Sequence, residues 1–235
     1  MRTVSAHILT MFKNETAVDK AEQTRRRIFE AALTLFREKG FDATTMQEIA
    51  QHAGVAKGAA YYYFPGKEAI IQTYYEAIQT EQERICGELF THEKKLKARV
   101  KAAFDSKFEL AKEDRRLLGV VFRYAGEPEN PISCLGKGTE EIRRRSIAVF
   151  RDALAVEKLP EDLARLLPVA LWAMQMGLLV MFLYDDSKGQ RRTRKLSDGA
   201  LEMALKLLAL AKLPLLRPIR SSLLRLLMEA ELLPE

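Results

Sequence analysis

The chain has 235 residues, of which 48% are hydrophobic and 30% are charged, and its formal net charge is +6. This balance is typical of globular proteins and excludes a chain that is disordered throughout. Glycine and proline are scarce, with 12 and 8 residues, while Ala, Leu, Glu, Lys and Arg dominate, so the composition predicts an all-α protein. The modest positive charge suits an anionic partner without requiring one.

Residues suited to catalysis or metal binding are few and dispersed. Cys86 and Cys134 stand alone, without a CxxC pair or a Cys/His cluster, so we expect free thiols and no metal site. His7, His52 and His92 are scattered, and the GxSxG, HExxH, P-loop and dinucleotide-binding glycine patterns are missing. We therefore expect no catalytic residue, no cofactor and no enzymatic activity.

The first 20 residues (MRTVSAHILTMFKNETAVDK) contain a short apolar patch. This patch lacks the length and the cleavage pattern of a secretory signal. We interpret residues 1–20 as a mobile arm, with Met11 as an alternative start, and expect a cytoplasmic protein.

Two helices are predicted next along the chain. Residues 24–39 (TRRRIFEAALTLFREK) place apolar side chains at helical spacing opposite charged ones, and Gly40 follows, as glycine commonly does after a helix. Residues 45–53 form the second predicted helix, because Thr45 and Glu48 have the spacing of a capping box at its start.

A tight bend and a short third helix follow. Gly54 breaks the second helix, the third is predicted over residues 56–63, and Pro65–Gly66 forces a turn before a long helix over residues 67–91. The clearest loop is residues 126–138 (GEPENPISCLGKG). Further helices are predicted over residues 95–112, 113–124, 139–156, 161–184, 193–212 and 216–231.

Two short helices joined by a glycine turn are typical of a helix-turn-helix, whose second helix lies in the DNA major groove. The small residues Ala50, Ala53 and Val55 would let the two helices pack closely. Gly58 and Ala59 would let the backbone of the third helix approach DNA. Lys57, at the start of that helix, could reach a phosphate or a guanine edge.

Three consecutive tyrosines end the third helix, in the sequence AAYYYF. A short helix cannot bury all of them, so we expect Tyr61 to point partly toward the groove and Phe64 to pack inward. Tyr62 and Tyr63 would donate hydroxyl hydrogen bonds to phosphates, which fixes register without reading sequence. The alternative for Tyr63 is that it covers the surface of the first helix.

Residues 24–70 resemble the DNA-binding domain of TetR-family transcriptional regulators. The resemblance lies in IFEAALTLFREKGFDATTMQEIA, in AGVAKGAAYYYF and in a lysine three residues later, Lys67. It covers about a fifth of the chain. At one position, Ala56, the family often has a serine that caps the recognition helix, and the loss of such a cap typically costs about 1 kcal/mol.

The resemblance implies a set of DNA contacts and a domain division. We expect residues 21–66 to be the DNA-binding domain, with the helix-turn-helix over about 45–64, and residues 67–235 to be a larger helical domain for ligand binding and dimerisation. Gln47 is the best candidate for reading a base outside the recognition helix. The implied contacts to double-stranded DNA are Thr45, Met46, Gln47, Lys57, Gly58, Ala59, Tyr61, Tyr62, Tyr63 and Lys67.

TetR-like proteins are all-helical homodimers in which two C-terminal helices of each subunit form a four-helix bundle, and other helices enclose an effector site. Residues 166–184 (LLPVALWAMQMGLLVMFLY) are apolar on every side, as a helix serving as both core and interface would be. Ala170, Ala173 and Gly177 form a small-residue stripe that allows a close helix crossing at the dimer interface. Residues 193–212 would be the partner helix, and residues 216–231 could extend the interface.

For the effector we expect a small apolar or amphipathic molecule of unknown identity. An aromatic and methionine stripe at helical spacing is equally compatible with plain hydrophobic core. The basic run of residues 188–195 (KGQRRTRK) is predicted to be an exposed loop. The candidate ligand-binding residues are Phe104, Phe108, Phe122, Trp172 and Met176.

Two alternatives remain at the level of sequence. Residues 166–184 reach the length of a membrane-spanning helix, although Pro168, Gln175 and the charges that flank the segment oppose that interpretation, and we expect no membrane association. Within the regulator class, a repressor released by a small-molecule effector is the common mode, and a TetR-like activator is the alternative.

Overall fold

The computed structural model describes residues 20–229, and within them every regular element is helical, which confirms the predicted all-α class. Four short 3-10 turns connect the longer elements, at Arg123–Gly126, Lys137–Thr139, Lys188–Gln190 and Pro214–Leu216. The α-helices in chain order are α1 (Lys20–Lys39), α2 (Met46–His52), α3 (Lys57–Tyr63), α4 (Lys67–His92), α5 (Leu96–Ala111), α6 (Arg115–Phe122), α7 (Glu140–Leu154), α8 (Glu161–Tyr184), α9 (Arg191–Ala211) and α10 (Arg217–Glu229).

Most helix boundaries agree with the sequence to within one or two residues, but α1 begins four residues before the predicted start. The prediction of an exposed loop over residues 188–195 is wrong. A 3-10 turn covers Lys188–Gln190, and α9 already begins at Arg191, so the basic side chains mostly belong to its first turn. The predicted arm, residues 1–20, lies outside the described residues except for Lys20.

The chain divides into two compact units, and the division falls inside α4. Unit 1 contains the residues up to Glu81 together with Leu110–Arg143, and unit 2 contains Gln82–Glu109 together with the residues from Arg144 onward. The division into a DNA-binding domain that ends at residue 66 and a second domain that begins at residue 67 stays a prediction. In terms of packing, the first compact unit extends 15 residues into α4 and includes α6.

Unit 1 is built on the apolar face of α1. Phe29 lies 6.5 Å from Phe64 between ring centroids, and Phe36 lies 5.2 Å from Phe41. Gly40 adopts φ +92°, which L side chains rarely adopt, and so permits the chain to turn sharply after α1.

The predicted loop between α6 and α7 is held by hydrogen bonds within unit 1. Thr139 Oγ1 donates to the carbonyl of Ser133 at 2.5 Å, and Gln72 Nε2 donates to the carbonyl of Pro131 at 2.7 Å. A side chain at Gly136 would place Cβ 2.6 Å from the carbonyl oxygen of Pro128. The loop therefore has a defined conformation that requires glycine at that position.

Unit 2 has an aromatic core between α5, α7 and α8. Phe104 pairs with Phe150 at 5.5 Å, and Phe108 stacks on Phe182 at 4.9 Å with an interplanar angle of 15°. All four rings are fully buried. Surface ion pairs join α5 to α9, including Lys97 with Glu202 at 2.6 Å.

Two acidic side chains position the last helices. Asp185 accepts hydrogen bonds from the backbone N–H groups of Ser187 and Thr193, both at 2.9 Å, and from the Thr193 hydroxyl. The Ser187 side chain and these bonds hold the pKa of Asp185 well below its usual range. The bonds also close the turn between α8 and α9. Asp162 pairs with the nearly buried Arg220 at 2.7 Å and so connects α8 to α10.

Candidate functional site

The bend between α2 and α3 is fixed from α1. Arg27 Nη2 donates to the carbonyl of Ala53 at 2.5 Å and to that of Gly54 at 3.3 Å, where α2 ends. A cation at the carbonyl end of a helix is favoured by the helix dipole. Gly54 has φ +63°, and a Cβ there would lie 3.0 Å from Arg27 Nη2. The positive φ therefore favours glycine at the bend, and a Cβ there would also displace the Arg27 guanidinium slightly.

The start of α2 confirms the predicted capping box. The backbone N–H of Glu48 donates to Thr45 Oγ1 at 3.2 Å, and Glu48 Oε2 accepts from the backbone N–H of Thr45 at 2.9 Å. Lys39 also contacts the Glu48 carboxylate. The hydrogen bonds from Lys39 and Thr45 lower the pKa of Glu48 to about 2, so this cap stays intact across the physiological pH range.

Helix α3 separates a buried side from an exposed one. Ala60 and Phe64 are buried, and Phe64 is only 1% exposed, as predicted. Tyr62 is 83% exposed, and Tyr61, Lys57 and Gly58 are also exposed. The helix thus presents a phenol, a cation and bare backbone on its outer side.

The other tyrosine and the start of α3 refine this surface. Tyr63 is half-buried, and its ring packs edge-on to Tyr62 with the centroids 5.2 Å apart. Ala56, at the cap position, has φ −65° and ψ 145° and makes no side-chain cap, as its sequence implied. The Ala56 side chain therefore satisfies none of the N–H groups at the start of α3, although the N–H of Ala59 donates to the Ala56 carbonyl at 2.9 Å.

Three of the ten predicted DNA contacts are placed differently from the rest. Met46 is 6% exposed, so its side chain belongs to the core of unit 1 and only its backbone N–H remains available for a phosphate. Thr45 is exposed, but its hydroxyl is used in the capping box. Lys67 Nζ donates to the Phe41 carbonyl at 2.7 Å and lies 4.6 Å from the centre of the Phe41 ring, so it joins α4 to the α1–α2 connection.

The remaining predicted contacts lie at or near the surface of unit 1. Gln47 is exposed on the first turn of α2, and Ala59 is half-buried beside exposed Gly58. Among the described residues, and apart from the local backbone of α3, no heavy atom lies within 4 Å of the position that a Cβ at Gly58 would occupy. Glycine is therefore not required there by the protein itself.

Two acidic residues that sequence reasoning did not select attach the two ends of α6 to the rest of unit 1. Asp42 accepts hydrogen bonds from Arg123 at 2.9 Å and from the Tyr124 hydroxyl at 2.8 Å. Asp114 accepts from Arg37 and Tyr74, and its side chain is fully buried. All of these residues belong to unit 1. The sequence offered no signal for these contacts, because the paired residues are far apart in the chain. Tyr74 is 40 residues from Asp114, and the other pairs are separated by 77 to 82 residues.

The five candidate ligand-binding residues are divided between the two units. Phe122 lies in unit 1, whereas Phe104, Phe108, Trp172 and Met176 lie in unit 2. Phe104 and Phe108 are fully buried against other rings, while Trp172 and Met176 are half-buried on α8. The structure therefore does not gather all five in one compact unit, and the assignment of a ligand site to them stays a prediction.

Unit 2 also contains polar atoms that the sequence analysis did not interpret. Gln82 Nε2 and Gln175 Nε2 both donate to the Ala103 carbonyl, at 2.9 and 2.8 Å. Both glutamines are fully buried, and neither Oε1 atom accepts a hydrogen bond within the described chain. An acceptor buried in this way typically costs about 1–3 kcal/mol.

A buried lysine follows in the next turn of α5. Burial lowers the pKa of Lys107 to about 8, although Cys86 and Glu83 nearby oppose that shift. Burial likewise raises the pKa of the Cys86 thiol, so this cysteine is unreactive as a nucleophile near neutral pH. Among residues 20–229, no group of three or more His, Cys, Asp or Glu side chains is arranged to hold a metal ion.

The apolar helix α8 is buried along one side and exposed along the other. Among the described residues it is the one helix that is long and apolar enough to cross a membrane. Less than half of its most apolar stretch is buried within the chain. Its exposed side contains the predicted stripe Ala170, Ala173 and Gly177. Further apolar side chains exposed on unit 2 are Met181, Tyr184, Leu196, Met203, Leu207 and Leu210.

Comparison with known proteins gives two family matches and several relatives. The model of bacterial regulatory proteins of the tetR family matches residues 28–74. The regulator SrpR of Pseudomonas putida is 45% identical over 53 residues, 23% of this chain and 25% of SrpR, so that alignment spans a quarter of the relative. IcaR of Staphylococcus aureus, the negative transcriptional regulator of the biofilm operon icaADBC, is 23% identical over 171 residues, 70% of this chain and 90% of IcaR.

Solved structures share the fold. A TetR-family regulator of Syntrophomonas wolfei has a TM-score of 0.63 at 17% identity, covering 79% of this chain and 96% of its own. FadR of Bacillus subtilis, in complex with stearoyl-CoA, has a TM-score of 0.57 at 23% identity, covering 75% and 95%. The model of the tetracyclin repressor-like C-terminal domain matches residues 99–222, more than half of the chain. The protein therefore belongs to the tetR family of bacterial regulatory proteins, which are helix-turn-helix transcriptional regulators.

Proposed function

We propose that this protein is a cytoplasmic, homodimeric transcriptional repressor that binds a two-fold symmetric DNA site and is released from it by a small-molecule effector. The observation that supports DNA binding is the outer side of α3. Tyr62 is 83% exposed there, next to exposed Lys57 and Gly58, while Ala60 and Phe64 hold the other side in the core. A large exposed phenol on a short, firmly packed helix suits contact with a partner surface.

DNA is the partner that fits this surface. The N-terminus of α3 has no side-chain cap and Lys57 adds a positive charge, so both favour phosphate. Gly58 allows the backbone to approach the groove closely, because a missing Cβ leaves the first turn of the helix bare. Tyr62 and Tyr63 would donate to phosphate oxygens and Gln47 would reach a base edge, adenine being its usual partner.

A dimer is required for the two-fold site. Two recognition helices must be about 34–36 Å apart to enter successive major grooves on one side of the duplex. The stripe Ala170, Ala173 and Gly177 provides a close contact between α8 of two copies, because its small side chains let two helix backbones approach. Such a contact would cover the apolar side of α8 that the single chain leaves exposed.

The effector is proposed from the relatives and from α4. IcaR is a negative regulator, and FadR was solved in complex with stearoyl-CoA, so relatives of this fold include a negative regulator and a protein that binds an acyl-CoA. Helix α4 belongs to both compact units, with Lys67 at its start beside Phe41 and Gln82 in unit 2. A ligand that shifts α4 would change the separation of the recognition helices, and DNA would weaken ligand binding by the same factor.

The test begins with the natural DNA site. Genomic fragments that the purified protein retains would be selected, and the shared sequence should be an inverted repeat. Its affinity would then be measured against salt for wild type, for Lys57→Gln and for Tyr62→Phe. If Lys57 contacts a phosphate, its loss should reduce the log–log salt slope by about 0.9.

Lys158→Gln is the matched control, because it removes the same charge from an exposed position in the connection between α7 and α8. It should leave the slope unchanged. Retention of no specific fragment by the folded protein, or equal affinity of wild type and both α3 variants, would contradict the proposal.

A further inference from the structure

Two helices of unit 2 place amide side chains against one backbone carbonyl of a third helix. Gln82 of α4 and Gln175 of α8 both donate to Ala103 of α5, and the Ser106 hydroxyl donates to the same oxygen at 3.1 Å. A carbonyl oxygen has two lone pairs, and three side chains already donate to that of Ala103, so this acceptor is saturated. The hydrogen-bond donors of this cluster thus compete for one atom.

The acceptors of the same two amides are unused. Gln82 Oε1 and Gln175 Oε1 are buried and receive no hydrogen bond from the described chain. Exchanging the oxygen and nitrogen of either amide would not remedy this, because an amide oxygen would then face the Ala103 carbonyl oxygen. The two unpartnered acceptors are therefore a consequence of the fold itself.

We propose that the effector of this protein is a neutral molecule with an apolar body and a hydroxyl or N–H group at one end, which donates a hydrogen bond to the amide oxygen of Gln82 or of Gln175. This inference rests on the proposed function and deepens it, because it names the chemistry of the ligand. The donor end would lie between α4, α5 and α8, beside Ala103.

The surroundings select a neutral ligand. Lys107 is buried one residue after Ser106, so a positively charged donor would be desolvated beside an existing cation. Of the other charges that act on Lys107, Arg145 is paired with Glu83 at 2.6 Å. A carboxylate has no proton to give to either amide oxygen. An alcohol, a phenol or a primary amide has one, and no net charge to desolvate.

The apolar body follows from the neighbouring side chains. Phe104 adjoins Ala103 and packs on Phe150, and Leu171 and Leu178 are buried on the same helix as Gln175. These groups exclude water, which strengthens a hydrogen bond formed among them. A ligand without an apolar body would forfeit this contact area.

The experiment uses matched probe pairs on the full-length, DNA-free protein. Alkylphenols and n-alkanols of increasing chain length would be compared with their methyl ethers, which keep the body but lack the donor. Binding would be measured by calorimetry and by the fluorescence of Trp172, the sole tryptophan. We expect the alcohol or phenol of a pair to bind about tenfold more tightly than its ether, the ratio that one net hydrogen bond supplies.

The variants Gln82→Met and Gln175→Met keep the side-chain length but remove the acceptors. Each should reduce the preference, and the double variant should bind alcohol and ether within about threefold of each other. Gln51→Met, on exposed α2, is the matched control and should retain the wild-type preference. If the double variant does not fold, the wild-type comparison alone still decides the question.

Three results would overturn the inference. The first is equal binding of alcohol and ether by wild type, which indicates that the amides hold trapped water only. The second is no binding by any probe up to its solubility limit, and the third is an unchanged preference for the alcohol in the folded double variant. The proposed function is tested separately, by release of the selected DNA. A donor-selective ligand that leaves DNA bound would contradict the effector role while supporting the site. If a ligand without a donor releases the DNA, and alcohol and ether bind equally well, the effector role would be supported and the site at the two glutamines would be contradicted.

Discussion

Arg37 and Tyr74 contact the same buried carboxylate, that of Asp114. Arg37 Nε lies 2.5 Å from Asp114 Oδ1, and the Tyr74 hydroxyl donates to Oδ2 at 2.8 Å. The hydrogen bond to Asp114 raises the pKa of Arg37, while burial and the Asp114 charge raise that of Tyr74. One carboxylate thus joins α1, α4 and the connection before α6 within unit 1.

Replacement of Asp114 should be among the most costly single changes in unit 1. In Asp114→Ala, Arg37 loses the buried carboxylate at a half-buried site, and the loss of one member of a buried ion pair typically costs about 3–5 kcal/mol. Tyr74→Phe keeps the ion pair and should cost only about 1 kcal/mol. Urea unfolding of both variants measures the difference, and equal losses would contradict it.

The cap of α3 offers a stabilising change. Ala56 already has the extended backbone of a cap residue, so in Ala56→Ser the hydroxyl can accept a hydrogen bond from the first turn of α3 without rearrangement. We expect the free energy of unfolding to rise by about 1 kcal/mol. Ala155→Ser, at an exposed position after α7, is the control and should change it little. A loss of stability in Ala56→Ser would show that the backbone there is not that of a cap.

A substitution at Gly58 should change stability and DNA affinity in opposite directions. Because open space surrounds its Cβ position, Gly58→Ala should stabilise the folded protein by about 0.5 kcal/mol. The added methyl group would nevertheless occupy the surface that approaches DNA, so we expect affinity for the selected site to fall by about tenfold. Gly87→Ala, also open and exposed in α4, should gain stability without loss of affinity. Unchanged affinity in Gly58→Ala would exclude close backbone approach at this residue.

The buried Lys107 predicts a pH dependence of stability. Its pKa falls from 10.5 to about 8 on folding because of burial, so the unfolded chain binds more protons between those values. The contribution of Lys107 to the free energy of unfolding should therefore rise as pH increases from about 8 toward 10, and near pH 7 its charge costs roughly 3 kcal/mol. Lys107→Met should be more stable than wild type at pH 7, and the gap should narrow by pH 10. A gap that does not change with pH would contradict this.

The sequence predicted the helices well because their signals are local. The capping box of Thr45 and Glu48 and the break at Gly54 depend on residues within a few positions of one another, and the structure has both. The cluster at Asp114 could not be foreseen, because Arg37 is 77 residues away and nothing in the local pattern selects one carboxylate among many. The contact of Lys67 could not be foreseen for the same reason. Its charge suggested a phosphate contact, but its ammonium group donates to the carbonyl of Phe41, 26 residues away.

The candidate ligand residues show a different limit. Aromatic spacing identified Phe104 and Phe108 but could not distinguish core from pocket, and both pack against buried rings. The buried glutamines gave a weaker sequence signal, since only Gln175 interrupts an apolar run. Its unpartnered oxygen becomes visible only when α4, α5 and α8 are placed together.

The exposed apolar side of α8 predicts the dimer. Ala173 lies at the middle of the stripe, where a charged side chain would be desolvated without a partner if two copies meet there. Ala173→Glu should therefore be monomeric at micromolar concentration while wild type is dimeric in sedimentation. The variant should also bind the full inverted repeat no better than a half-site, because the two recognition helices are no longer connected. Ala155→Glu adds the same charge at an exposed position outside this stripe and should remain dimeric. A monomeric wild type, or a dimeric Ala173→Glu with full affinity for the repeat, would place the interface elsewhere or exclude it.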